Sequence, residues 1–118
     1  MRSEVRFLVA EIADKQNWMI FNLALNEGLK RCGSTSTVES IKSKYETMVE
    51  FEIVDGSRKS ETLLRTAELV ENRSWNILRR ALYLGLKEVG STTTIESAVE
   101  HDGYLVIVME TPDVEEPS

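Results

Sequence analysis

With 118 residues, 42% of them hydrophobic and 29% charged, the chain has the size of one domain and enough apolar material for a core. A formal net charge of −6, which falls only to −3 without Asp113, Glu115 and Glu116 of the closing TPDVEEPS, works against non-specific polyanion binding, because that affinity comes from cations neutralising phosphates. No apolar run reaches the roughly 18–20 residues of a membrane span, no signal-peptide order opens the chain, and the single cysteine, Cys32, fits a reducing compartment. A cytoplasmic protein without membrane contact is the expectation.

The sequence is written twice. Shifted by 57 positions, GSTSTVES at 33–40 falls on GSTTTIES at 90–97, Trp18 on Trp75, Ala24 on Ala81 and Glu11 on Glu68. Between 28–40 and 85–97, nine of thirteen positions are identical. Two copies are too few for a solenoid. The spacing predicts a single domain, 1–118, built from repeats of about 1–57 and 58–111 related by a pseudo-twofold, with an acidic tail at 112–118.

In chain order, residues 4–13 come first and are ambiguous. Val5, Phe7 and Val9 alternate as in a strand, but the corresponding SETLLRTAELVEN reads as a helix starting near Ser60, so helix is expected in both copies. Trp18, Phe21, Leu25, Leu29 and Cys32 then form one helical stripe, repeated by Trp75, Leu78, Leu82, Leu86 and Val89. Asn17 and Ser74 stand at the N-cap positions, and Gly33 and Gly90 stand where helices end in a left-handed residue. Inside each stripe Ala24 with Gly28, and Ala81 with Gly85, suggest that the two long helices cross closely at the axis, since a helical glycine otherwise costs about 1 kcal/mol.

The Ser/Thr-rich phrases follow and favour strands. Ser36 with Glu39 and Thr93 with Glu96 also fit a capping box opening a short helix. MVEFEIV at 48–54 and YLVIVME at 104–110 are further strands, and Asp102-Gly103 is a hairpin turn signal. The predicted fold is therefore α+β: an internally duplicated α-β-β-α-β-β chain with one four-stranded antiparallel sheet and long helices packed on one face.

Little catalytic chemistry is legible. One His, His101, and one Cys give no zinc cluster, and nucleophile-elbow and phosphate-loop motifs are missing. The repeated acids, Glu39 with Glu96 and Glu11 with Glu68, could pair across the axis, but a domain this small rarely has the cleft a carboxylate pair needs. A non-enzyme without cofactor or metal is expected.

Two binding readings remain. Glu50 and Glu52 in the first copy fall, at an offset of 57, on Ile107 and Met109, with Leu105 on the same side. A face wet in one half and apolar in the other needs a cover, so Leu105, Ile107 and Met109 are the candidate interface of a self-associating protein-interaction module. The alternative is single-stranded DNA or RNA in a cleft between the halves, held by stacking and charge. Its candidate contacts are Lys30, Arg31, Lys42, Lys44, Tyr45, Arg79, Arg80, Tyr83 and Lys87.

Overall fold

A computed structural model describes residues 1–113; of the acidic tail expected at 112–118, residues 114–118, Glu115 and Glu116 among them, lie outside the described residues. The elements are β1 (Arg2–Leu8), α1 (Val9–Ala13), α2 (Trp18–Arg31), β2 (Thr37–Lys44), β3 (Met48–Asp55), β4 (Arg58–Arg65), α3 (Thr66–Val70), α4 (Trp75–Glu88), β5 (Thr94–His101) and β6 (Tyr104–Glu110). The order strand, short helix, long helix, strand, strand thus occurs twice. The strands form two three-stranded antiparallel sheets, β1-β6-β5 and β2-β3-β4.

This corrects the single four-stranded sheet with helices on one face. The missing strands are the segments expected to be helical. In β1, Ser3, Val5 and Phe7 are buried while Arg2, Glu4, Arg6 and Leu8 are exposed, and in β4 Ser60 and Leu64 are buried between exposed neighbours. That period of two is a strand with one dry face; only five residues after each strand turn helical. The phrases at 37–44 and 94–101 are strands, not capped helices.

Only one of the sheets joins the two ends of the chain. β2, β3 and β4 follow one another as a meander, whereas β1, the first strand, closes on β6, the last. Met1 and Thr111 exchange hydrogen bonds just beyond that ladder, at 2.5 and 2.8 Å.

The repeated phrase is a helix stop followed by a turn. Gly33 donates to the Lys30 carbonyl and Ser34 to Leu29, and Gly90 and Ser91 do the same to Lys87 and Leu86, satisfying the last carbonyls of α2 and α4. The glycines adopt φ of 77° and 83°, where a Cβ would be strained. Next, Ser36 and Thr93 donate their amides to the Ser34 and Ser91 hydroxyls. Their own hydroxyls are buried, against the Asp55 carboxylate and the Thr111 hydroxyl respectively. At the other end of the helices, Asn17 accepts from the Ile20 amide, while the Ser74 side chain makes no cap bond.

The long helices pack on strands. α2 lies across β1 and β2, and α4 across β4 and β5, so each helix bridges edge strands of both sheets. The glycines serve this contact, not the helix crossing expected from the sequence. The Ser3 hydroxyl of β1 donates to the Gly28 carbonyl at 2.7 Å, and the Ser60 hydroxyl of β4 to Gly85 at 2.9 Å. A Cβ at Gly28 would run into Val5, and one at Gly85 would lie 2.8 Å from Ile53 Cδ1. Between sheets and helices lies one apolar cluster, in which Phe21 of α2 touches Phe7 of one sheet and Phe51 of the other, with ring centroids 5.0 and 6.3 Å apart.

Candidate functional site

The two hairpin turns decide which side chains face water. Tyr45, Glu46 and Thr47 join β2 to β3, with Tyr45 and Glu46 at positive φ. Only Asp102 and Gly103, both at positive φ, join β5 to β6, as the Asp-Gly signal implies. The second turn is one residue shorter, so the correspondence drops from 57 to 56 in the last strand. Val49, Phe51 and Ile53 then match Leu105, Ile107 and Met109, and all six are buried. The interface expected at Leu105, Ile107 and Met109 is therefore not a surface: they are 0%, 0% and 1% exposed and face the core.

At the corrected register Glu50 and Glu52 match Val106 and Val108. The outward side chains of β2-β3-β4 include Lys42, Lys44, Glu50, Glu52, Lys59, Glu61 and Arg65, with Leu63 exposed among them. They form a cross-strand ion ladder. Glu50 meets Lys44 at 2.6 Å and Lys42 at 3.7 Å, and Lys59 meets Glu52 at 3.4 Å. The Lys44 hydrogen bond holds the Glu50 carboxyl below the usual carboxylate range, against the cost of its burial, and the same bond raises Lys44.

The outer face of β1-β6-β5 has a different chemistry. Its strand pairings give four rows of three: Leu8, Tyr104 and His101; Arg6, Val106 and Val99; Glu4, Val108 and Ser97; and Arg2, Glu110 and Thr94, with the bulge residue Glu96 beside this last row. Val99 is 57% exposed, Leu8 45% and Tyr104 39%, with Val106 and Val108 half-buried beside them. An apolar band thus crosses the face where the other sheet carries Lys42, Glu50 and Glu52. At the last row Arg2 reaches Glu96 at 3.2 Å, and a hydrogen bond with Glu110 raises the Glu96 carboxyl, burial adding to the effect and Arg2 opposing it.

The basic and aromatic candidates are divided among elements with other partners. Lys42 and Lys44 pair with Glu50, and Arg79 donates to the Ile95 carbonyl. Tyr83 packs partly buried against the core, while exposed Tyr45 lies under the Lys44 ammonium, 5.4 Å from its ring centroid. Lys30, Arg31 and Lys87 end the long helices, where they complement the helix dipole, and Arg80 is exposed on α4. Among the carboxylates, Glu96 meets Glu110, a partner the sequence reading missed, while Glu11 and Glu68 bond to Lys15 and Asn72 next to them in the chain.

Two open clefts mark the surface of the described residues. One, of about 200 Å³, lies where Gly33 and Thr35 of the first phrase approach Gly90–Thr93 of the second. The other, of about 270 Å³, lies between the β2–β3 turn and α3. Among the described residues every buried side-chain nitrogen and oxygen has a hydrogen-bond partner, so neither cleft presents a buried polar group awaiting a ligand. No helix of the described residues is long and apolar enough to cross a membrane.

The chain matches no protein-family model, no curated protein and no solved structure at the level required for significance.

Proposed function

We propose that the chain is a non-enzymatic protein-interaction module of the cytoplasm, a single domain of two repeats about a pseudo-twofold, that self-associates through the outer face of β1-β6-β5. The observation that carries this is the replacement of Lys42, Glu50 and Glu52 on one outer face by Val99, Val106 and Val108 on the other. Two sheets of like construction meet the same solvent, and the ion ladder is what a permanently wet face looks like. An apolar band at the equivalent place gains from being covered, each side chain removed from water contributing about 25 cal/mol per Å². The pairing of Lys42, Lys44 and Lys59 with carboxylates leaves fewer free cations for a nucleic acid and favours a protein partner.

The test is light scattering from low to high micromolar concentration on wild type, Val106→Glu and Leu63→Glu. Val106→Glu should lower the mass to that of the monomer and leave the circular dichroism spectrum unchanged. Leu63→Glu, on the other sheet, should leave the mass at the wild-type value. A Val106→Glu protein with the wild-type mass would remove the reading.

A further inference from the structure

We infer that the occupant of this face is a second copy of the chain, stacked outer face to outer face, with its twofold axis running across the strands at the level of Ile107. The inference rests on the interaction reading above and adds a specific arrangement to it. An axis across the strands reverses their direction, so the first row of one copy lies over the last row of the other, and the second over the third. Val106 then meets Val108 of the second copy. Arg6 meets Glu4 and the Tyr104 hydroxyl meets Glu110, each donor facing an acceptor, while His101 lies over Thr94 and the Glu96 bulge, Val99 over Ser97 and Leu8 over Arg2. The twofold makes every one of these contacts twice.

The complementarity belongs to this axis and this face. An axis along β6 would set Glu110 on Glu110 and Arg6 on Val99. The crosswise axis on the outer face of β2-β3-β4 would set Glu50 on Glu52. Charge matching of this kind selects register and partner more than it adds affinity. Sheets stacked face to face lie about 10 Å apart with strands inclined by about 30°, which leaves room for these side chains to interdigitate. Four rows of three residues are few beside the roughly 20–30 residues a side of a standard interface, which sets this contact among small, transient interfaces.

Charge reversal on β1 tests the arrangement, because Glu4 and Arg6, 3.8 Å apart in their own chain, are exposed and point away from the core. Arg6→Glu places carboxylates at both positions of each copy, and Glu4→Arg places cations at both. Each variant alone should self-associate at least about tenfold more weakly than wild type. A one-to-one mixture of the two variants should recover dimers close to wild-type affinity, because every contact between positions 4 and 6 is again between opposite charges. Sedimentation equilibrium on the variants and the mixture reads this directly. A mixture that associates no better than its components overturns the arrangement. If Val106→Glu still dissociates the wild-type dimer in that case, the face remains the interface and only the axis is wrong. A wild type that stays monomeric across the whole range overturns both.

Discussion

Glu50 is 2% exposed although it points away from the core. Lys42 and Lys44 of the neighbouring strand flank it, their ammonium groups pairing with its carboxylate at 3.7 and 2.6 Å. Because its folded-state pKa lies below the ordinary value of about 4.3, the contribution of this pair is fully present above that value. It is lost as the pH falls through the folded-state pKa. Glu50→Gln should therefore lower the melting temperature at neutral pH, and the gap to wild type should close under acid. Thermal melts between about pH 7 and about pH 3 check this, and a gap of constant size would show that the carboxylate charge is irrelevant. The side chain's charged environment could not be read from the sequence, because Glu50 acquires it from residues six and eight positions back through the register of a hairpin.

At the scale of elements, the long helices were legible because their stripes are local: Trp18 to Cys32 and Trp75 to Val89 repeat at helical spacing, and every member is buried. What the helices rest on was not legible, because the segment of β4 read as a helix and β1 was assigned to match it. The alternation of Val5, Phe7 and Val9 pointed to the strand, and the comparison with 60–72 carried one error into both halves. The small residues of α2 and α4 now have a definite cause, since Gly28 lets the helix backbone sit on Val5 and Met109 while its carbonyl takes the Ser3 hydroxyl. Gly28→Ala gains helix propensity of about 1 kcal/mol, yet the added methyl meets Val5 of β1 in a filled core, where overpacking costs about 1–3 kcal/mol. The net expectation in urea denaturation is a loss of stability. An increase would mean that α2 can ride higher on the sheet without penalty. The face of β6 was misassigned for a different physical reason: Asp102-Gly103 turns the chain in one residue fewer, and a shift of one residue exchanges the two faces of a strand.

At the scale of the whole molecule, the β3–β4 turn and the gap between Thr111 and Met1 stand at corresponding places. Asp55 pairs with Arg58 across Gly56 and Ser57, just as β6 ends beside the start of β1. A circular permutant opened between Gly56 and Ser57, with Thr111 joined to Met1 by a short glycine linker, should fold cooperatively with the wild-type circular dichroism spectrum. New termini at an exposed turn are tolerated where few contacts cross them. A permutant that collapses without a cooperative thermal transition would argue against the equivalence of the two joints. The recurrence of the element order was legible as a sequence offset. The exchange of first strands between sheets was not, because pairing between β1 and β6 spans the entire chain and leaves no local pattern.

The closure of β1 on β6 also sets a timetable. As the chain leaves the ribosome, β2, β3 and β4 are complete once residue 65 has emerged, and their meander pairs only neighbours in sequence. β1 emerges before the other five strands and waits for β6, with Val5 and Phe7 uncovered and both its edges open. Contacts of such long sequence separation form late, and unpaired strand edges are where nascent chains go astray. One half of this molecule can therefore assemble before β5 and β6 are made, while the sheet that carries the proposed dimer face can be completed only once residue 110 has emerged, so the surface for association is offered only after both sheets have their strands.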